Sequence, residues 1–436
     1  MRNFHLFGPY LLRPTAIAVQ LITVAVLPNL LSVSDLGSYF LLVALVSSLI
    51  PLLDVGFIRY SYKYINRYGI VLGRSIVRRT GASLAVSLPI CIAFLYIYLH
   101  QWNMFCLSLL YLFGLVMGRF LQINKYLFVV SSRSLAAATF DSLSTMLLGL
   151  AMLIAFLVSL MALNGREFSL WFIVSLSPMV FLVVYLLSNR YLSQSQYKTA
   201  SPWLSFTALG DLRNLVRSMR RTWPVAVDAF LVSQLINLPI LILGVMTQPE
   251  YLMLVGLFTR IFAAYATIVS VFSLINLPHF YGSSPTKLVM GRYIGISLVI
   301  FGILVCLFFV LHATITLSVF NNFDLKIIRL MIPLTEFTFM LPGCFSLYFL
   351  YTSISNIALS ANVVLLRILS TLAVIGIIII SILGRVPDPV LYPDALLGVV
   401  LRGMNMGLAV GLLLMLTVLL RLQYFGRRLR QLPEEA

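Results

Sequence analysis

Two arginines stand where a cation is costly. Arg260 lies within Tyr251 to Pro278, YLMLVGLFTRIFAAYATIVSVFSLINLP, and Arg402 lies within another apolar run near the end of the chain. At about 1.5 Å of rise per residue, Arg260 is roughly 13 Å in from Tyr251, near the centre of a hydrocarbon layer about 30 Å thick. A guanidinium at that depth is destabilising unless it faces water, an anion or an acid. Arg260 therefore either lines a cavity that accepts an anion or pairs with an acid such as Glu336 or Asp228. Arg402 has the same two readings, and its helix also carries Gly403, Gly407 and Gly411, a small-residue face suited to close packing.

The acids in apolar runs have two readings as well. Asp54, Asp141 and Asp228 each lie about two turns from the expected cytoplasmic end of a span, where snorkelling or pairing with the nearby arginines satisfies them. Asp54 and Asp228 have a second use, because a carboxyl in a low dielectric can take up and release a coupling proton or bind a cation. Glu336 sits about a third of the way into its span from the external side. Arg13 and Arg59 stand at the inner mouths of the first two spans, as topological anchors or as attractors of an anionic headgroup. Enzyme chemistry is missing from this inventory. His5, His100, His279 and His312 are scattered, and Cys91, Cys106, Cys306 and Cys344 lack metal-type spacing. With no glycine-rich phosphate loop either, no catalytic residue, cofactor or metal is expected.

The elements that must position these charges are membrane helices. Of 436 residues, 61% are hydrophobic and only 10% charged, against about a quarter charged in soluble domains. Mean hydropathy is +1.02. About twelve spans of the length a bilayer needs can be drawn. They cover approximately 10–31, 37–58, 80–99, 104–127, 135–162, 168–189, 223–246, 251–275, 292–312, 328–351, 357–383 and 395–420. Arg2 and Arg13 flank the start of the first, which reads as an uncleaved span rather than a signal peptide.

With both termini in the cytoplasm, most of the 30 basic residues fall in cytoplasmic stretches or at the adjoining helix ends. Arg166, Lys326, Arg329 and Arg385 fall on the external side, and the last two, Arg260 and Arg402, are within spans. The net charge of +17 is thus a topology signal and calls for no nucleic acid. The expected fold is an all-α integral membrane protein of two six-helix lobes, 1–190 and 223–421, related as a parallel repeat. Between them lies a cytoplasmic linker, 191–222, and after them a basic tail, 422–436. In the linker, Leu209, Leu212, Leu215, Val216 and Met219 recur at helical spacing among arginines, which suits an amphipathic helix on anionic lipid. Prolines such as Pro51, Pro89 and Pro178 fall within spans as static kinks or hinges, and Gly114 with Gly118 forms a second small-residue face.

The segment from Leu30 to Arg59, LLSVSDLGSYFLLVALVSSLIPLLDVGFIR, resembles the opening hairpin of Wzx-type bacterial polysaccharide flippases. These belong to the multidrug/oligosaccharidyl-lipid/polysaccharide exporter superfamily. Asp35, Gly37, Tyr39, Leu53, Asp54 and Gly56 carry the likeness. Spans seven and eight are similar to the second hairpin of that family, where an arginine in span eight is common and is here Arg260. The resemblance implies an inner-membrane protein that moves an undecaprenyl-pyrophosphate-linked oligosaccharide from the cytoplasmic to the periplasmic leaflet by alternating access, for O-antigen, capsule or exopolysaccharide synthesis. It implies Arg13, Arg59, Arg260 and Arg402 as the path of the pyrophosphate headgroup. Membrane lipids, a polysaccharide polymerase and a chain-length regulator would be its partners.

Two alternatives stand beside that expectation. One is a cation-coupled multidrug or small-molecule antiporter of the same superfamily, which calls for an acidic cavity. The other is a membrane-embedded O-antigen polymerase or ligase, which calls for a large external loop that the span pattern does not leave room for. If Arg260 lines the cavity, Arg260→Ala abolishes export while the protein remains inserted at normal levels, read by transport assay and membrane immunoblot. Full transport by that variant rules out the cavity role, and loss of the folded protein identifies a structural ion pair.

Overall fold

The computed structural model describes residues 30–53, 65–99, 101–130, 134–162, 169–193 and 361–383 continuously. It also describes individual helical residues between 15 and 27, between 222 and 256, and between 399 and 414. Every described element is a helix. In chain order they are α1 (Val33–Leu53), α2 (Ile65–Tyr98), α3 (Trp102–Val130), α4 (Ser134–Ala162), α5 (Leu170–Ser193) and α6 (Ala361–Leu383). Among the described residues, four segments are long and apolar enough to cross a membrane: Ser34–Leu53, Trp102–Phe128, Thr139–Ser159 and Leu170–Leu192. The expected spans nine and ten and the amphipathic linker helix lie outside the described residues.

The boundaries depart from the apolar runs for local reasons. Helix α1 begins four residues before its expected span because Ser32 caps it, its hydroxyl accepting the Asp35 N–H at 3.1 Å. Asp35 then lies in the first helical turn, where its charge opposes the helix dipole. Helix α2 is 34 residues long, starting well before the expected span at residue 80. Its first half carries Arg67, Arg74, Arg78 and Arg79. Arginine is a good helix former, so hydropathy marks where a chain enters lipid and not where its helix stops.

The chain divides into two compact units, Met1–Ile275 and Asn276–Ala436. The boundary falls after the eighth expected span. Contacts within the first unit account for this, because residues of spans seven and eight lie directly against α1: Leu41 faces Gly244 and Phe40 faces Gly256. Helix α1 is the inner element of this unit, with 67% of its spanning window buried, against 33% for α4. On the outside, Ile90, Ile97, Ile154, Met161 and Met179 are exposed, as lipid contact requires and water would not favour. Trp102 and Trp171, both near the starts of parallel helices, are also exposed, as suits residues at a membrane interface.

The most extensive contact between described helices joins α3 to α5. Gly114 meets Pro178, Gly118 meets Phe181, the rings of Phe120 and Tyr185 lie 5.9 Å apart, and Asn124 donates to Ser188 at 2.9 Å. Both residue series advance in the same direction, so the two helices run parallel. That is the relation expected of spans four and six. In the second unit, Gly407 packs on Val374 of α6, and Gly403, Gly407 and Gly411 are all buried. Both small-residue faces thus serve close helix approach.

A Cβ at Gly114 would stand 3.0 Å from the Pro178 backbone, whereas one at Gly118 would meet only the Phe181 ring at 3.5 Å. Gly114→Val therefore lowers the unfolding midpoint of the purified protein in detergent, at an overpacking cost of about 1–3 kcal/mol. Gly118→Ala stays within about 0.5 kcal/mol of the parent. Equal midpoints for the two variants would contradict the fit of α3 to α5.

Candidate functional site

Among the described residues of the first unit, polar groups gather mainly at two places. The first lies where α3, α4 and α5 converge. Lys125 of α3 and Asp141 of α4 form an ion pair, with side chains 12% and 26% exposed. Beside it, Phe128 stacks on Phe140 at 5.4 Å, and Tyr191 of α5 meets both rings at 5.6 and 5.9 Å. The aromatic cluster keeps this end of the helices fixed, and the pair neutralises two charges that lipid could not solvate. The basic partner of Asp141 is a lysine, although arginines dominate the expected cytoplasmic ends. The signal available in sequence was that Lys125 and Asp141 lie at similar depths on consecutive antiparallel spans.

The second place is the contact of α1 with the described helical residues between 222 and 244. Asn237 donates its side-chain N–H to Ser47 Oγ at 3.3 Å. Next to these lie Ser48, buried and donating to the Ala44 carbonyl at 2.7 Å, and Gln234, buried and donating to Ser233 Oγ at 3.4 Å. From Ser47 to Leu41 and from Asn237 to Gly244 the two helices run antiparallel. Between these levels Tyr98 of α2 donates to the Leu241 carbonyl at 3.3 Å. These amides and hydroxyls sit in an interface otherwise built of leucine, phenylalanine and glycine. An amide and a serine pair within long apolar runs are the sequence signal that pointed here, and the reading by charge alone passed over them.

A smaller polar joint closes the end of α1, where Ser83 and Ser87 of α2 donate to the Leu53 carbonyl at 2.9 and 3.2 Å. Of the residues expected to carry function, Asp141 is engaged with Lys125 and Arg402 is exposed beside the buried Gly403. Arg260, Arg13, Arg59, Asp54, Asp228 and Glu336 lie outside the described residues. Of the hairpin residues that carry the family resemblance, the described ones have structural work: Asp35 opens α1, and Tyr39, Gly37 and Leu53 are buried within the unit.

A bundle of long apolar helices with polar groups facing one another inside it is the architecture of a multi-pass membrane protein. No family model matches the sequence, and no curated protein does. Among solved structures, the chain is similar to an inward-facing multidrug resistance MATE family transporter of the MOP superfamily. That match has a TM-score of 0.56 and 12% identity, covering 94% of this chain and 96% of that one. It is also similar to the eukaryotic MATE transporter AtDTX14, with a TM-score of 0.50 and 12% identity over 96% and 94% of the two chains. The chain has the fold of the MATE transporters of that superfamily.

The Lys125 and Asp141 pair yields a direct test. Asp141→Asn strands a largely buried ammonium and lowers stability by about 1–3 kcal/mol. Adding Lys125→Met recovers most of that loss. A double-mutant cycle on thermal unfolding measures the coupling, and a coupling of zero would refute the pair.

Proposed function

We propose that this chain is a membrane transporter, not an enzyme, and that it works by alternating access across a cell membrane. The observation that carries the proposal is the likeness in fold to a multidrug resistance transporter over nearly the full length of both chains. It supports a cation-coupled exporter of drugs or other small molecules better than it supports a lipid-linked oligosaccharide flippase. In this reading Asp54 and Asp228 are the acids for the coupling proton or cation, since Asp141 is engaged with Lys125. Twelve spans in two lobes, with both termini in the cytoplasm of a bacterial inner membrane, complete the proposal.

The flippase stands as the second reading because specific residues favour it. Arg260 and Arg402 are cations within spans, which suit a pyrophosphate and repel a cationic drug. Asp35, Gly37, Tyr39, Leu53, Asp54 and Gly56 carry the resemblance to Wzx-type flippases. In that reading Arg13 and Arg59 meet the headgroup first, and a polymerase with its chain-length regulator uses the product. Outward movement of the anionic headgroup is favoured by the inside-negative potential, by about 2.3 kcal/mol per charge per 100 mV.

Reconstitution into proteoliposomes separates the two. Efflux of a cationic dye that depends on a proton or sodium gradient, and is lost in Asp54→Asn, supports the antiporter. Inertness towards the dye, with accelerated transbilayer movement of an undecaprenyl-pyrophosphate oligosaccharide that is lost in Arg260→Ala, supports the flippase. Inactivity in both assays refutes the transporter proposal.

A further inference from the structure

The contact of α1 with the seventh and eighth spans has the geometry of a latch. Phe40 is 1% exposed and lies so close to Gly256 that a Cβ there would overlap its ring and stand 2.6 Å from its Cβ. One residue on, Leu41 fills the space over Gly244, where a Cβ would stand 3.4 Å from Leu41 Cγ and overlap a terminal methyl. Two side chains from consecutive positions of α1 thus seat on two glycines from consecutive spans. About two turns deeper along α1, the chemistry changes to the Asn237 and Ser47 hydrogen bond, beside the buried Gln234.

The two ends of this contact differ in how easily they part. Separating Phe40 from Gly256 in hydrocarbon costs only dispersion contacts, because lipid tails replace a neighbouring helix with little penalty. A hydrogen bond between an amide and a serine in a membrane is worth about 0.6 kcal/mol on average, since both groups find other partners when they separate. Such an interface is tight when closed and inexpensive to open.

We propose that Phe40 and Leu41, seated on Gly256 and Gly244, form a latch that closes one end of the substrate path and must release in each transport cycle. Asn237 and Ser47 are its inner, hydratable rim. The inference rests on the alternating-access reading. It adds that the two glycines set the balance between closed and open forms, because a larger side chain at either disfavours the closed one. The two sites differ in severity. Gly244 faces the mobile end of a leucine, which can turn aside, whereas Gly256 faces the root of a phenylalanine ring, which cannot.

The test uses the full-length protein in native membrane vesicles with its own cysteines replaced. In Leu41→Cys/Gly244→Cys, the sulfur of residue 41 falls near the present Leu41 Cγ position, 3.4 Å from the Cβ of residue 244, which is within reach of a disulfide. Oxidation should cross-link the pair. Separately, Asn237→Cys reports accessibility to a membrane-impermeant maleimide added at the face where α1 begins. Gly256→Val should raise that labelling about tenfold and Gly244→Ala by less, as overpacking shifts the population towards the open form. Failure of the pair to cross-link, or equal labelling in the parent and Gly256→Val at equal membrane levels, overturns the latch. Where dye or lipid-linked oligosaccharide transport is measurable, the disulfide should abolish it and a reductant restore it. Continued transport with the disulfide intact also overturns the latch. If neither substrate moves, the transport reading fails while cross-linking and labelling still decide the latch.

Discussion

In hydrocarbon a helix satisfies its own backbone but gains nothing by hiding leucine from lipid, so what joins one helix to another is the closeness of their approach. The described structure depends on this constraint throughout. Gly114 admits the Pro178 backbone, Gly407 admits Val374, and Gly244 and Gly256 admit Leu41 and Phe40. At Gly114, Gly256 and Gly407 a methyl group would press on backbone or on the root of a side chain, and at Gly244 it would displace the end of Leu41. The loss of hydrophobic burial as a driving force is offset by dispersion across these short distances.

The same solvent explains the treatment of polar groups. Serines and threonines donate back to carbonyls one turn earlier, as Thr23 does to Val19 at 2.8 Å and Ser108 to Met104 at 2.8 Å. Amides reach across to another helix, as Asn124 does to Ser188 and Asn237 to Ser47. Charge is matched by charge, as between Lys125 and Asp141. These arrangements differ in consequence. The bonds within one helix leave its neighbours unconnected, whereas the ion pair ties α3 to α4 and the bond from Asn237 to Ser47 ties α1 to the seventh span.

Architecture was largely legible along the chain because hydropathy and helix length report on the solvent directly. The stretches read as spans two to six and eleven each contain a helix, and the glycine faces at Gly114 and Gly118 and at Gly403, Gly407 and Gly411 are packed. Helix ends were less legible. Ser32 extends α1 past the apolar run, and α2 continues through a basic stretch because nothing there breaks a helix. Reading the site from charge alone also had a bias: a lone arginine in an apolar run is conspicuous, whereas a serine or asparagine is not.

The sequence by itself determined that this chain lives in a membrane and that its elements are helices. Each of these is a property of composition and order along one strand of chain. Only the tertiary structure decided which polar groups meet. It matched Asp141 with Lys125 and set Asn237, 190 residues away in sequence, against Ser47. It also placed Phe40 and Leu41 on glycines of two later spans. The physical reason is that a pairing between helices depends on their rotation and relative depth, and small side chains set both by permitting contact at one register only.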